Sequence, residues 1–547
     1  MRTIRISIVR RAPFGPTGYL GVGFLANWLK RRPNGKLLLG LIGNPPMILD
    51  RRHLLRVGGA AAIASGTLSP VQTQVPQQSN PRGTPPQPAG AAPDGVPDHT
   101  IRIGTGLIEL GSDTIISTKL YNGQFPGPLL RLTEGKRVVI DIHNDTDTPE
   151  QIHWHGQFVP ADVDGAAEEG TPFISAHGMR RIAFTPNPVG FRFYHSHLTA
   201  GADLSLGLYS GQIGLVYIEP RREPGEYDRE VFLTLKEFGP YLSRTETALD
   251  FLAPTATVPE LEASQKAAML NALKAGHQQG YEPAYNFFAI NGRILGQGEP
   301  IPVKAGERVL LHVLNASASK IRSLALPGHL FQVVALDGNL VPHSTTVPVL
   351  WLGTAERISA IVEMKQPGVW VLGETVDEDR ERGMGIVVEY AGAKGEPQWQ
   401  KPEPFRWDYR RFAKPDAATA PPDGTIALTI AARIGARDGF DEFTINGTPF
   451  SMKAMQPRFR LDRGKRYRLH LRNATDDTHP IHLHRHSFEI TSIVGMLTAG
   501  VIKDVAMLGG SQEMTLDFTA DQPGLSLFHC HMQDHMDSGF MALFDCV

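Results

Sequence analysis

Cysteine is nearly absent from this chain, with only Cys530 and Cys546 among 547 residues. If Cys530 is engaged elsewhere, Cys546 has no partner within the chain, so a disulfide framework is excluded and the fold must rest on its cores. Cys546, next to the C-terminus, reads as a bystander thiol. A dominant charge is lacking as well: 54 Lys and Arg against 56 Asp and Glu leave a formal net charge of −2. That excludes the basic footprint of a nucleic-acid or anionic-membrane binder. Long apolar runs are missing too. The stretches within residues 19–28 and 37–42 are too short to span a bilayer, so no membrane anchor is expected in the mature protein.

Glycine and proline are plentiful, at 56 and 42 residues, and they punctuate short runs in which apolar and polar residues alternate. That pattern predicts strands of β-sandwiches or barrels. An internal repeat organises them. Asn122-Gly123, Asn291-Gly292 and Asn446-Gly447 each precede a run of one spacing: GKRVVIDIHN from Gly135, GERVLLHVLN from Gly306 and GKRYRLHLRN from Gly464. Three copies of one β unit imply three related domains, placed at residues 98–220, 228–392 and 424–547 with a Pro-rich connector at 393–423. Residues 67–97, rich in Pro, Gln, Ser and Gly, are expected to form a disordered linker. Residues 259–277 read as a short amphipathic helix serving core packing.

Histidine carries the chemistry. The segment His529-Cys530-His531-Met532-Gln533-Asp534-His535 sets a thiol between imidazoles. On a strand successive side chains face opposite ways, so His529 and His531 would share one face and Cys530 the other. One short element can then touch two metal centres joined by a few covalent bonds. A thiolate with two imidazoles makes the trigonal set of an electron-transfer copper. Three more clusters supply the far end of that path: His153-Trp154-His155, His195-Ser196-His197 and His479-Pro480-Ile481-His482-Leu483-His484. The four His-x-His pairs give eight imidazoles, with His479, Cys530 and His535 left over. Eight suit a three-copper cluster, and three suit a blue copper. The pairs occur only in the first and third repeats, so such a cluster must bridge those two while the middle repeat holds them in register.

These four motifs, in this order over roughly residues 98–547, resemble those of the multicopper oxidases, and of the laccase branch in particular. The resemblance implies an all-β chain of three consecutive cupredoxin-like domains holding four copper ions. By it, His479, Cys530 and His535 match the type 1 copper ligands, and His153 and His482 match type 2. His155, His195 and His531 match one type 3 copper; His197, His484 and His529 match the other. It further implies a laccase-like oxidase that takes single electrons from phenols or aromatic amines at the type 1 site. His535 would receive each electron and Cys530 pass it on, and four of them would reduce dioxygen to water. Asp164, in Val163-Asp164-Gly165, matches an acidic residue that the family uses for proton relay; a turn aspartate before glycine is the alternative. The alternative activity is oxidation of cuprous or other metal ions, although the 14 methionines form no methionine-rich insert. The alternative class is a copper-free structural or interaction protein of the same fold, against which the complete histidine set argues. Three positions depart from the family pattern. Phe540 stands at the usual axial methionine position, with Met541 adjacent, and loss of that weak donor raises the redox potential. Met536 stands where the metal-oxidising branch has a glutamate, and Arg485 replaces a glycine between His484 and His486.

Ahead of the repeats, Asp50-Arg51-Arg52-His53-Leu54-Leu55-Arg56 and the weakly apolar residues 57–64 resemble a twin-arginine export signal, with Ala62-Ile63-Ala64 as the cleavage site. Residues 1–66 are therefore expected to be extension and signal, with Met47 as an alternative start. The expected partners are the twin-arginine export machinery, dioxygen and a small reducing substrate. The expected location is the periplasm or the outside of the cell, reached in folded form.

Overall fold

The structure, a computed structural model, describes residues 95–220, 224–244, 281–414, 419–437 and 440–547, with four short strands within the first 49 residues. The expected export signal, the linker as far as residue 94 and the helix expected at 259–277 lie outside the described residues. The chain divides into two compact units, Met1–Gln87 with Leu107–Ser117, and Pro88–Gly106 with Thr118–Val547. In the first, strands Thr3–Ile4, Ala26–Arg31, Leu37–Leu41 and Met47–Leu49 form an antiparallel sheet in sequence order.

The second unit is built from the repeat. In each copy both residues of the Asn-Gly pair take left-handed φ: 50° and 69° at Asn122-Gly123, 51° and 76° at Asn291-Gly292, 52° and 78° at Asn446-Gly447. That is the geometry of a type I′ hairpin turn, which few other residue pairs adopt without strain. Each asparagine then ties its turn to an earlier strand, Oδ1 accepting from Arg102 N, Thr234 N or Thr429 N. The alternating runs become strands Val138–Asn144, Arg308–Asn315 and Arg466–Asn473. Every one ends on a buried asparagine whose Oδ1 accepts the backbone N–H two residues on, at Thr146, Ser317 and Thr475. In Arg466–Asn473, Leu469 and Leu471 are buried while His470 and Arg472 face solvent, the period of two expected of a half-buried strand.

The second and third copies share one topology. Each has a six-stranded and a five-stranded sheet, and the strand order matches position for position. Register shows where they differ. Leu324 pairs with Glu374 as Ile481 pairs with Cys530, so Arg322 takes the place of His479 and Glu374 that of Cys530. The middle copy thus buries opposite charges where the third buries candidate metal ligands. Its role is structural at that point, because a guanidinium cannot give up its proton to become a ligand. The first copy has its own core around Ile101, Ile140, Trp154 and Tyr194, and a larger core runs through the other two. The connector is docked as well, the 3-10 turn Tyr409–Phe412 burying both of its end residues. Among the described residues no helix is long and apolar enough to cross a membrane.

Candidate metal centre

Strand pleating decides which histidines meet. Strand His153–His155 pairs antiparallel with Gly190–His195, placing His153 opposite His195. Strand His479–Leu483 pairs with Gly524–Cys530, placing His482 opposite His529 and Ile481 opposite Cys530. His482 and His529 therefore share one face of this ribbon, and His479 and Cys530 share the other. Trp154, between the first two histidines, turns into the core of the first copy. The short helix Gln533–Asp537 after the strand returns His535 to Cys530.

All eleven candidate ligands converge, in four groups whose ligand atoms lie within 4.8 Å of one another: His153, His155 and His482; His155, His195 and His531; His197, His484 and His529; His479, Cys530 and His535. The first three groups draw on both the first and third copies, and the first two share His155. Asp164 joins His153 and His484 in a fifth group. The described part of the middle copy contributes no side chain to any of these groups.

The hydrogen bonds show what the groups lack. His153, His195, His482 and His529 each donate Nδ1–H to a backbone carbonyl, of Asp164, Ser196, Asp504 and Cys530 respectively. His484 donates its Nδ1–H to Asp164 Oδ2 at 2.8 Å. The Nε2 atoms of His153, His195 and His482 are buried without a partner, as is Nδ1 of His155. His484 Nε2 and His529 Nε2 face each other at 3.0 Å. With both Nδ1 protons already engaged, these are two lone pairs in contact, which is repulsive unless a cation lies between them. The His479, Cys530 and His535 group repeats the pattern. Thr475 Oγ1 donates to Asn473 and accepts His479 Nε2–H at 2.7 Å, so His479 Nδ1 and His535 Nδ1 meet at 3.1 Å beside the Cys530 sulfur. Burial pulls His197 and His535 down to about 3, and the same burial pushes the Cys530 thiol up. A neutral imidazole is the ligand form, and a bound cation supplies the driving force for thiol deprotonation. The residues present fit copper.

Two acids went unnoticed in the sequence. Glu168 and Glu169 lie in the 3-10 turn Ala167–Glu169, four and five residues past Asp164, and are buried. Glu169 Oε1 stands 3.3 Å from His484 Nδ1 and accepts from Leu527 N, while Glu168 Oε2 stands 3.9 Å from His197 Nδ1. Burial raises both carboxyls, Glu168 to about 7. An adjacent acidic pair in a loop normally reads as a solvated turn; only its inward fold made it notable. Asp164 closes the four-residue helix Ala161–Asp164 before left-handed Gly165, so the turn reading of this aspartate and its contact with the histidines hold together.

The family departures also find places. Arg485 has φ of 61°, the left-handed geometry that explains the usual glycine. Its buried guanidinium donates to the carbonyls of Val159, Pro523 and Leu525, stitching the first copy to the third. Phe540 is fully buried with its ring 5.0 Å from that of His479, whereas Met541 packs with Leu527 and Met536 in a separate cluster. The register therefore sets Phe540, and not Met541, toward the group of His479, Cys530 and His535. Replacing Phe540 by methionine should return a weak thioether donor and lower the type 1 potential, as read by redox titration of the blue band; an unchanged potential would show that the sulfur does not reach the metal.

Matches described as multicopper oxidase cover residues 108–223, 259–388 and 419–546. The chain is 28% identical to the multicopper oxidase MmcO of Mycobacterium tuberculosis, over 91% of this chain and 98% of that relative. Its fold is similar to the laccase from Botrytis aclada, with a TM-score of 0.66 at 18% identity over 83% of this chain and 88% of that one. It is also similar to a Campylobacter jejuni multicopper oxidase described as a metallo-oxidase, with a TM-score of 0.61 at 20% identity over 82% and 91%. Three cupredoxin-like domains, the convergent histidines and these matches lead to one conclusion: the chain belongs to the multicopper oxidase family of copper-dependent, dioxygen-using oxidoreductases.

Proposed function

We propose that this protein couples one-electron oxidation of a small donor at the His535 edge to four-electron reduction of dioxygen to water, using four copper ions held as the sequence motifs suggest. The observation that carries it is the set of four converging ligand groups with inward, unpartnered nitrogens. Bound copper supplies the one-electron redox chemistry at both ends. The chain does the rest. The His535 side chain is 12% exposed and offers the donor an edge. Cys530 connects that edge through its own backbone to His529 and His531. Asp164, Glu168 and Glu169 stand against cluster histidines where protons are consumed. Apolar packing around Cys530 and Phe540 keeps water from the sulfur. The test is copper quantitation with an absorption spectrum. About four coppers per chain, an intense blue band and a near-ultraviolet shoulder are expected; a colourless, copper-free protein from copper-replete growth would move the chain to the structural class.

For the donor, the laccase branch suggests phenols or aromatic amines, but one observation favours a cation. The Asp477 carboxyl is raised by burial and by Asp441, Asp534 and Asp476, and the Asp534 and Asp477 charges also reach the Cys530 thiol. Asp534 Oδ2 stands 3.8 Å from His535 Nε2, and an acidic setting of this kind favours cuprous ion or a protonated amine over an anionic phenolate. Replacing Asp441 and Asp477 together by asparagine should lower kcat/KM for cuprous ion by on the order of tenfold at low salt and leave a neutral phenol nearly unchanged. Equal losses on both donors would restore the phenol reading.

We further propose export in folded form through the twin-arginine route, on the Arg51-Arg52 motif. Conversion of both arginines to lysine should leave the enzyme active but retained in the cytoplasmic fraction. Unchanged export would remove the proposal.

A further inference from the structure

The described part of the middle copy lends no imidazole to the centre, yet one of its side chains grips the residue that holds two of them. Asp504, in the third copy, touches a parallel stack formed by His155 and His482, whose ring centroids are 3.9 Å apart at 13°. Its backbone carbonyl accepts His482 Nδ1–H at 2.7 Å, and its Oδ1 accepts His155 Nε2–H at 3.2 Å. His155 is thereby the exception. The other cluster histidines with an outward hydrogen bond donate from Nδ1 and point Nε2 inward, whereas His155 donates from Nε2 and leaves Nδ1 facing the group it shares with His195 and His531. The imidazole ring is nearly symmetric in shape, so packing alone discriminates poorly between its two nitrogens. The carboxylate makes the choice.

Asp504 is in turn held by guanidinium groups from two other copies. Arg357, from the middle copy, forms a two-pronged pair with it, Nη1 to Oδ1 and Nη2 to Oδ2, both at 2.6 Å. Arg192, from the first copy, donates to Oδ2 at 2.9 Å. All three side chains are fully buried. Asp337 locks the far side: Oδ1 accepts from Arg357 N, Oδ2 accepts from Asp504 N and Val505 N, and Oδ2 lies 2.9 Å from Lys503 Nζ. A planar fork fixes both the position and the plane of a carboxylate, which a point charge such as lysine does not.

We propose that Arg357 is a positioning residue for the oxygen-reducing cluster: by clamping Asp504 it holds His155 with Nδ1 toward the metal, so a side chain of the middle copy sets the geometry of the cluster between the other two. The proposal rests on the copper reading above. Replacing Arg357 by glutamine or by lysine should leave the blue band per chain intact, as an internal check that the third copy is folded. The near-ultraviolet shoulder should weaken, the type 2 electron-paramagnetic-resonance signal should change its hyperfine splitting, and cluster copper affinity should fall about 10- to 100-fold. Lysine should rescue only in part, because one ammonium cannot reproduce the fork. The control is Lys503→Met, which breaks the same buried charge network without touching the Asp504 carboxylate. It should cost thermal stability while keeping the cluster spectra. Wild-type cluster spectra in both Arg357 variants would overturn the proposal, and so would equal damage from Lys503→Met. If glutamine prevents folding, the lysine variant decides. Failure of the wild-type protein to load copper would instead sink the proposed function.

Discussion

Serine at position 530 is expected to abolish the blue band and reduce turnover of every donor to background, while the eight-histidine cluster still loads. The exchange replaces one sulfur by a smaller oxygen at a site fully buried in a packed core, a small loss of volume that the fold should survive. What disappears is the soft thiolate that makes the trigonal set and the covalent step between the donor edge and the cluster. His529 and His531 flank that sulfur along the backbone, and no other candidate ligand bridges the two centres in this way. Copper per chain should fall by one ion while the near-ultraviolet shoulder persists. Retention of donor oxidation at more than a small fraction of wild type would mean that electrons reach the cluster by another route.

Asparagine at position 164 should slow turnover roughly 100-fold or more, the range in which positioned proton transfer contributes, with copper content and both absorption features retained. Asp164 Oδ2 accepts from His484 Nδ1 at 2.8 Å and lies 3.0 Å from His153 Nδ1. An asparagine carbonyl keeps the first bond and its geometry but cannot carry a proton. Its side chain is otherwise the same size in a fully buried place. The solvent isotope effect on kcat should rise as the proton step becomes limiting. Loss of copper with the activity would assign Asp164 to ligand orientation alone. Glutamine at Glu168 or Glu169 should cost less individually, because two acids would remain beside the histidines.

Much of this was readable in one dimension for a physical reason: local spacing encodes facing. His-x-His on a strand puts two imidazoles on one face whatever the rest of the protein does, and Cys530 between two histidines must look the other way. Asn-Gly at 122, 291 and 446 demands left-handed backbone at both residues, and the turns form as that chemistry requires. Glu168 and Glu169 were invisible because nothing local distinguishes a buried acidic pair from a solvated one. Phe540 against Met541 was undecidable from the sequence, since adjacent strand residues exchange faces with a one-residue shift of register.

The sequence by itself determined the three-copy β architecture, the metal-ligating residues on offer and the chemical class they imply, because turn chemistry, period-two alternation and ligand identity are properties of neighbouring residues. Only the tertiary structure decided which histidines from distant copies meet, which nitrogen each presents and which carboxylates stand beside them. His155 and Asp504 are 349 positions apart in the chain, and the tautomer that one imposes on the other depends on a guanidinium from a third domain. Such choices are set by packing between copies, where a hydrogen bond of about 3 Å decides what no local pattern records.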